Sequence, residues 1–439
     1  MSNNRSIGII GGGMMGMTLA LRLSEQGFKV TLLEAQERTG GLAVPVTIGD
    51  YTWDQFYHVI LLSDRNLLDL LDRLDLKEKI RWTRTKTGFF ADRRLHSMSN
   101  IVEFLSFPPL SLAQRIRLGL AIFFASRIKD GERLEKISVS DWLTHLSGKS
   151  TFNKVWLPLL KGKLGENYRV TSASFIWAII ARMYAARRSG LKQEMFGYVE
   201  GGYATILKHL RKRLDEGGVE TLCRTPVERV LSRNGKVDVV SREGSLLQFD
   251  DVILTISANE IPNLCPDLSP SERQRLEKIK YQGVVCAAFL LKRSLSDYYI
   301  TNITDGALPF TAVIEMTSVV DRNHFGGSAL VYLPLYVTHH DRSWTRTDQE
   351  IQDEFLRGLE MMHPSFQRED ILACTVVRAK DVLPVTTLNY SRELLPPAKT
   401  SLEHVFVVNS AQIANGTMNV NEIIGLANQK TKQIEQMIG

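Results

Sequence analysis

Apolar residues near the start of the chain fall into two short runs, separated by a glycine-rich loop and a helical pattern. The runs occupy residues 7–10 and 28–33, and each has the length of a buried parallel strand. Between them lie the loop GGGMMG at 11–16 and helical spacing at 17–26. A strand, tight turn, helix and strand within about 30 residues predict a mononucleotide-binding βαβ unit.

The pattern changes twice farther along the chain. From about residue 64 to residue 192 the apolar spacing is mainly helical, as in LLDLLDRLDL and SFIWAIIARMYAARR. Strand patterns follow from residue 220 and are separated by turns such as Asn234-Gly235. The predicted strands are 220–223, 227–232, 236–241, 246–249, 252–256, 284–291, 328–333 and 405–409, and the later helices are 349–362 and the C-terminal segment.

This order of elements predicts an α/β protein with two domains. A Rossmann-like cofactor domain would be discontinuous, built from residues 1–80, 195–260 and 400–439. An inserted α+β domain, from residues 81–194 and 261–399, would cover the cofactor and bind the substrate. The helical part of this second domain could face a membrane.

Composition narrows the class of protein. Hydrophobic residues make up 44% and charged residues 23% of the 439 residues, as is typical of a globular protein. The net charge of +6 is small for this length, so we expect no nucleic-acid partner. The four cysteines and the pair His339-His340 lack zinc-like spacing, so we expect no metal site. No secretory signal and no apolar run of about 20 residues is visible, and we expect a cytoplasmic protein.

The glycine-rich loop carries the clearest chemistry. Gly11, Gly13 and Gly16 form G-x-G-x-x-G, with Met14 and Met15 between the last two glycines. The first glycine permits a tight turn, the second lets the backbone approach a pyrophosphate, and the third permits close helix packing. Because the loop follows a strand and opens a helix, we expect it to bind a dinucleotide rather than to form a simple turn.

Glu34 ends the second predicted strand and could accept hydrogen bonds from both ribose hydroxyls of an adenosine. Its charge would repel a 2′-phosphate. This favours FAD or NAD over NADP, with an ordinary solvated acid as the alternative.

The residues after this strand resemble a known family. Glu34, Arg38, Gly40 and Gly41 match the E-x-x-x-R-x-G-G run of the FAD-binding amine oxidase superfamily, which includes phytoene desaturases and protoporphyrinogen oxidases. The resemblance implies FAD, with the arginine and the glycine backbone beside the pyrophosphate and ribityl chain. Leu42 stands where an arginine is often found, which suggests a desaturase-like or divergent branch.

The resemblance extends to EGGYATILKHLRKRLDEGGVETLCRTPVERV and to the C-terminal segment. It implies that the Val227 backbone touches the adenine. Asn409 and Ser410 stand where the family usually carries an acid, so this chain departs from the pattern there. Besides the motif residues, the cofactor contacts implied are Ala35, Leu42, Asn409, Thr417, Met418 and Asn419, with Ser410, Asn421 and Glu422 as further candidates. A plain C-terminal docking helix is the alternative.

The segment WDQFYHVI provides candidates for proton transfer. His58 could exchange a proton near neutral pH, since an imidazole titrates there, and Asp54 and Tyr57 lie beside it. A hydrogen-bonded structural histidine is the alternative. Glu315, in the apolar context FTAVIEM, is costly to bury without a partner or a catalytic purpose.

Three further residues could contact the substrate or take part in catalysis. Tyr332 and Tyr336 lie in LVYLPLYV and Arg378 lies in VVRAKDVLP. They could line a substrate cavity over the flavin, with Tyr332 as a catalytic candidate and Tyr336 and Arg378 as substrate contacts. Aromatic core packing is the alternative for both tyrosines.

Two helical segments combine apolar surfaces with unpaired cations. SLAQRIRLGLAIFFASRI carries Arg115, Arg117 and Arg127. The basic residues of the second segment, around Trp177, are Arg182, Arg187, Arg188 and Lys192. Either segment could rest on anionic lipid at the inner face of a membrane or bind phosphate. A core-facing helix with a solvated basic side is the alternative.

These observations predict an FAD-dependent oxidoreductase of the desaturase or oxidase type. It would accept a hydride from an apolar, anionic or phosphate-bearing organic substrate. An amine oxidase is one alternative, and a flavin-dependent isomerase similar to UDP-galactopyranose mutase is another. A non-catalytic interaction protein stabilised by FAD is the third.

Overall fold

The computed structural model of the chain describes residues 5–187 and 195–438. Its strands in chain order are β1 Ser6–Ile10, β2 Lys29–Leu33, β3 Pro45–Ile48, β4 Tyr51–Asp54, β5 Ile60–Leu61, β6 Ile80–Arg84, β7 Thr87–Ala91, β8 Arg94–Ser97, β9 Met195–Val199, β10 Glu220–Leu222, β11 Val227–Arg233, β12 Lys236–Ser241, β13 Leu246–Phe249, β14 Asp251–Leu254, β15 Tyr281–Leu291, β16 Ile300–Ile303, β17 Ala312–Glu315, β18 Ala329–Val337, β19 Ile371–Pro384 and β20 Val405–Val407.

Fourteen α-helices lie within the same described residues. In chain order they are α1 Met14–Glu25, α2 Arg65–Arg73, α3 Ile101–Leu105, α4 Leu112–Ala125, α5 Val139–Ser147, α6 Lys149–Thr151, α7 Leu157–Leu164, α8 Ala173–Arg187, α9 Gly202–Glu216, α10 Ile261–Leu264, α11 Pro270–Glu277, α12 Asp348–Met362, α13 Tyr390–Glu393 and α14 Val420–Ile438. A π-helical turn, Phe152–Trp156, joins α6 to α7.

The first core is built around a five-stranded parallel sheet, with the strand order β10-β2-β1-β14-β20. The central strands β1 and β14 are largely apolar and buried, as is expected of parallel strands that are covered on both faces. Ile7 and Ile9 pack on one side against α1, α9 and α14. On the other side, Val252 and Leu254 pack with Val239 of the antiparallel sheet β11-β12-β13. This arrangement confirms the predicted α/β fold with a Rossmann-like unit.

A seven-stranded mixed sheet forms the second core, in the order β19-β15-β18-β17-β16-β7-β8. Every residue of β15 is buried, and alternate side chains enter different clusters. Val285, Ala287 and Phe289 pack against α12, whereas Val284 and Cys286 face a cluster that contains aromatic residues. The sheet therefore presents one face to a helix and the other to the aromatic cluster beside the cavity described below.

Helices α4 to α8 form a bundle at one side of this sheet, and α8 is its central member. Residues on all sides of α8, such as Phe175, Trp177 and Ile180, are buried. A helix that is apolar all round is expected to lie inside a protein. The described part of the segment from Trp177 to Lys192 therefore agrees with the core-facing alternative, and the positions of Arg188 and Lys192 lie outside the described residues.

The region 64–192 was expected to be mainly helical, but it also contains β6, β7 and β8. IRWTR and TGFFA are rich in aromatic and β-branched residues, and Asp92 and Arg93, both at positive φ, form the turn between β7 and β8. Strand β6 pairs with β9, so the sheet β5-β9-β6 crosses the predicted boundary at residue 80. The detailed domain limits remain a prediction.

Candidate active site

Helix α1 begins at the end of the glycine-rich loop and points its first turn into a cavity. Gly13 precedes the helix and has no side chain to cap it, and Gly13, Met14 and Met15 line the cavity. The first N–H groups of a helix have no partner within the helix and carry the positive end of its dipole. This end of the cavity is therefore suited to an anion such as a pyrophosphate.

The backbone of the glycine-rich loop at 11–16 packs directly against the backbone of Gly40 and Gly41. The Gly40 N–H donates to the Gly12 carbonyl at 2.8 Å. A Cβ on Gly41 would lie 3.1 Å from Gly13 Cα, and Gly41 has a φ of +56°. Within the loop, a Cβ on Gly16 would lie 1.9 Å from the Gly11 carbonyl oxygen. Side chains at these positions would separate α1 from its loop, so the glycines define one backbone-lined cradle.

Glu34 lies at the carboxyl end of β2, beside the cradle. One carboxylate oxygen accepts from the Gly12 N–H at 2.7 Å and the other from the Gln36 N–H at 2.8 Å. Each oxygen keeps a second lone pair, which a ribose hydroxyl could use. The Thr225 N–H donates to the Glu34 carbonyl at 2.9 Å, which brings the start of β11, and with it Val227, near this end. Ala35 follows at the surface.

The cavity has a volume of about 480 Å³ and extends from the cradle to the seven-stranded sheet. Its lining includes Gly40, Gly41, Leu42, Tyr57, His58, Lys163, Arg182, Tyr203, Tyr336, Asp381, Ser410, Met418 and Asn419. Two buried nitrogen atoms in this lining, His58 Nδ1 and Arg182 Nε, make no hydrogen bond. Unpaired buried polar atoms are uncommon, and here they are available to a ligand.

A second helix also directs its N-terminus at the cavity. Val420, Asn421 and Ile423, in the first turn of α14, line it. Asn419 accepts from the Glu422 N–H at 3.1 Å, and its amide donates to the Thr417 hydroxyl at 2.7 Å. The N-termini of α1 and α14 therefore both favour electron-rich groups in this one cavity, which we call the chamber.

The partly buried His58 and the buried Asp54 form a pair in which both pKa values are shifted. Burial lowers the pKa of His58 to about 4 and raises the pKa of Asp54 to about 7. His58 Nδ1 lies 4.0 Å from Asp54 Oδ2, and the imidazole packs on the Tyr203 ring at a centroid distance of 4.6 Å. The Tyr203 N–H donates to Asp54 at 2.8 Å. At neutral pH His58 is therefore an uncharged imidazole at the cavity wall.

The same cavity lining contains a cluster that the sequence analysis recognised only in part. The hydroxyls of Tyr57 and Tyr336 are 2.7 Å apart. Lys163 Nζ donates to the Tyr336 hydroxyl and lies 3.7 Å from the centre of its ring. The missed signal was helical spacing, because Lys163 falls between the buried residues Leu160 and Leu164 on the apolar side of α7.

Arg182 was expected to meet no acid, and this is wrong. Its Nη2 lies 3.0 Å from both oxygens of Asp64, which also accepts from the Leu61 N–H at 2.9 Å. The pair lines the cavity, so Arg182 belongs to the interior of the molecule. Sequence spacing gave no sign of this contact because 118 residues separate the partners.

Several predicted site residues lie outside the cavity lining. Glu315 is 1% exposed and accepts from the Leu295 N–H and the Thr317 hydroxyl, and burial raises its pKa to about 7. Tyr332 is fully buried and donates to the Asp54 carbonyl at 2.5 Å. Arg378 pairs with Asp348. None of these three side chains lines the cavity.

Two predicted cofactor contacts also have other surroundings. The Asn409 side chain accepts from the Ala411 N–H at 3.1 Å and donates to the Ile256 carbonyl at 3.0 Å, so it caps its own turn. Ser410, its neighbour, does line the cavity. Arg38 is exposed and lies in a separate groove with Lys208 and Arg211.

Comparisons with known proteins agree with this geometry. The family model described as flavin containing amine oxidoreductase matches residues 14–419. The chain is 22% identical to the carotenoid phi-ring synthase of Streptomyces griseus over 84% of this chain and 75% of that protein. It is 23% identical to the zeta-carotene desaturase of Synechocystis sp. over 69% and 67% of the two chains.

A solved structure shows the same fold. It is a protein from Exiguobacterium sp. 255-15 provisionally named protoporphyrinogen oxidase, with a TM-score of 0.78, 19% identity and full coverage of both chains. The cradle, the two helix N-termini and the unpaired cavity atoms fit the dinucleotide cofactor of such proteins. The chain belongs to the family of flavin containing amine oxidoreductases and is an FAD-dependent oxidoreductase.

Proposed function

We propose that FAD is held along the line from Glu34 to α14. Glu34 and the Val227 backbone would hold the adenosine, and Gly11, Gly13, Gly16, Gly40 and Gly41 would surround the pyrophosphate. Thr417, Met418 and Asn419, at the start of α14, would lie beside the flavin ring, with Leu42 at its edge. The observation that carries this proposal is the joint opening of α1 and α14 into one chamber.

When bound, FAD supplies a two-electron acceptor for a hydride. The chain would orient the substrate, exclude water and hold protons at defined atoms. Of the predicted catalytic residues, His58 is the one whose side chain reaches the cavity, and its neutral imidazole, with no hydrogen bond at Nδ1, would bind and orient a polar group of the substrate or cofactor. Tyr332 would act by holding the Asp54 backbone, and Asp54 in turn lies beside His58.

The substrate is proposed to be largely apolar. The chamber is lined by Phe56, Val59, Leu61, Met183 and Phe196, and such walls favour hydrocarbon over water. The relatives are named for carotenoids, and the matching structure for protoporphyrinogen. We therefore infer that this chain oxidises a carbon–carbon or carbon–nitrogen bond of a lipophilic organic molecule.

The test begins with the visible spectrum of the purified protein, followed by anaerobic mixing with candidate polyenes, porphyrinogens and amines. Bleaching of the flavin by a polyene or porphyrinogen is expected. Bleaching by amines alone would contradict the substrate class. Turnover that requires reduced flavin and consumes no acceptor would favour the mutase-like alternative, and failure to bind FAD would overturn the proposed site.

We also propose that α3 and α4 contact a membrane surface. Eight large hydrophobic residues on these two helices are each at least 40% exposed: Ile101, Val102, Leu105, Leu112, Ile116, Leu120, Phe123 and Phe124. Patches of this kind are uncommon on a monomer surface without a partner. Every helix among the described residues is too short or too polar to span a bilayer.

Basic residues beside this patch favour an anionic bilayer as its partner. Arg127 lies 4.8 Å from the centre of the Phe123 ring. Arg115 and Arg117 donate to backbone carbonyls, including those of Leu110 and Leu146, and keep their positive charge near the patch. A lipid surface offers both the apolar layer and the negative charge that this combination fits.

Co-sedimentation with vesicles containing anionic lipid at low salt measures this contact. We expect the double variant Ile116→Ser and Phe124→Ser to lower the bound fraction about tenfold or more, because it removes apolar area that would enter the interface. Leu246→Ser, at a residue 62% exposed on β13, is the matched control. Equal binding of both variants, or no binding by the original chain, would contradict the proposal.

A further inference from the structure

Lys163 brings a positive charge into the cavity without an acid to balance it. Its ammonium contacts the hydroxyl and ring of Tyr336, on β18. Among residues 5–187 and 195–438, no carboxylate oxygen lies within ion-pair distance of Nζ. An ammonium has three donors, so two remain for a ligand or water.

The acids that line the cavity are already engaged elsewhere. Asp64 is paired with Arg182. Asp381 accepts from the Ser257 hydroxyl at 2.9 Å through one oxygen, and its other oxygen, which makes no hydrogen bond, lies 2.7 Å from His339 Nε2 and not beside Lys163. Lys163 is therefore a charge whose attraction is available to the contents of the chamber.

The surroundings of Lys163 strengthen that attraction. Val284 on β15 and Met183 on α8 contribute apolar wall to the same chamber, and Tyr57 bonds to Tyr336 beside the ammonium. Charged groups interact more strongly where water is partly excluded. A protonated amine would be repelled by this ammonium, whereas an anion could form a charge-assisted hydrogen bond to it.

We propose that Lys163, with the Tyr336 hydroxyl, binds an anionic group of an otherwise apolar substrate. The chamber then selects a lipophilic carboxylate or phosphate over a cationic amine. This inference rests on the proposed function because it assigns the substrate class of the same chamber. It also separates this chain from members of its family that act on amines.

The test is calorimetric titration of the holoenzyme with molecules of equal chain length: octanoate, octyl phosphate and octylammonium. We expect the original protein to bind the anions at least tenfold more tightly than octylammonium. Lys163→Met should lower anion affinity about 10- to 100-fold and leave octylammonium unchanged or improved. Lys163→Arg should keep most of the anion preference, and tighter binding of octyl phosphate than octanoate would indicate a phosphate-bearing substrate.

The control is Lys161→Met, because Lys161 lies on the same helix but is exposed beside the Tyr168 ring. It should leave all three affinities within about twofold. The inference is overturned if octylammonium binds as tightly as octanoate, or if Lys163→Met weakens all three ligands equally. Calorimetry measures this charge preference whether or not a ligand reduces the flavin. If no polyene or porphyrinogen bleaches the flavin, the proposed function is contradicted but the charge preference is not.

Discussion

The cofactor cradle and the substrate chamber are built on different principles. The cradle is formed by backbone from two short segments, 11–16 and 40–41, where the absence of a Cβ is the requirement. The chamber is formed by side chains that include Tyr57, Lys163, Arg182 and Tyr336, which lie far apart in the sequence. The cradle should therefore tolerate almost no change at a glycine, whereas the chamber should change specificity without losing its cofactor.

The largest effect is expected at Gly16. Gly16→Ala would place a methyl group 1.9 Å from the Gly11 carbonyl oxygen, so α1 and the loop must separate. We expect FAD affinity to fall about 100-fold or more, measured as flavin content after dialysis and by titration of FAD into the apoprotein. Gly306→Ala is the control, since a Cβ there meets nothing within 4 Å.

A substitution at Gly13 distinguishes loss of FAD binding from misfolding of the chain. A Cβ on Gly13 would meet no atom nearer than Gly41 Cα at 3.9 Å, and its φ of −70° suits alanine. Gly13→Ala should therefore fold normally by circular dichroism but bind FAD about 10- to 100-fold more weakly, because the methyl group occupies the approach of the pyrophosphate. Unchanged FAD affinity in this folded variant would place the pyrophosphate elsewhere.

A smaller effect is expected at Glu34. In Glu34→Gln, one of the two backbone N–H groups, of Gly12 or Gln36, would face an amide NH₂. The lost charge also weakens acceptance from a ribose, so we expect about tenfold weaker FAD binding in the same titration. Glu37→Gln, at an exposed residue paired with Arg224, should change nothing. If the two variants bind FAD with equal affinity, Glu34 does not contact the cofactor.

The smallest effects concern Asp54 and His58, whose pKa shifts oppose each other. Burial raises the pKa of Asp54 from 3.8 to about 7, so the folded chain holds a proton that the unfolded chain releases, and stability falls as pH rises through this range. Burial lowers the pKa of His58 from 6.5 to about 4, so stability rises with pH between these values.

Thermal unfolding between pH 4.5 and 6.5 tests this pair. The Asp54→Asn variant keeps only the pH dependence that comes from His58. Its unfolding temperature should therefore rise with pH relative to that of the original chain. His58→Asn leaves the Asp54 contribution, so its midpoint should fall. One proton limits each slope to about 1.4 kcal/mol per pH unit. Parallel pH profiles for both variants would show that neither group has the assigned ionisation.

The βαβ unit that contains the glycine-rich loop could be predicted from the sequence because its requirements are local. Gly11, Gly16 and Glu34 lie within one βαβ unit, where spacing along the chain fixes spacing in the fold. The parallel sheet and most strands of the antiparallel sheet β11-β12-β13 also follow from short apolar runs and turns. Asn409 was harder, because the same amide can bind a ligand or cap a turn, and here it caps.

The chamber could not be predicted in the same way, since its contacts join distant residues. Asp64 and Arg182 are 118 positions apart, and each taken alone has the pattern of a solvated charge. Tyr332 and Tyr336 lie on one strand, yet only Tyr336 reaches the cavity, because Tyr332 is covered in the core and bonded to Asp54. Similarly, α4 and α8 are both apolar and basic, and only tertiary packing buries α8.

The π-helical turn at Phe152–Trp156 has a consequence for how this enzyme could change over generations. Each residue advances a helix by about 100°, and a π-turn holds one residue more than α-helical geometry needs. Loss of a single residue from this turn would therefore restore an ordinary helix while the residues that follow keep their orientation. A deletion of one codon here should leave Lys163 in the chamber and Leu160 and Leu164 in the core, so the length of this segment can change without a change in the substrate charge preference.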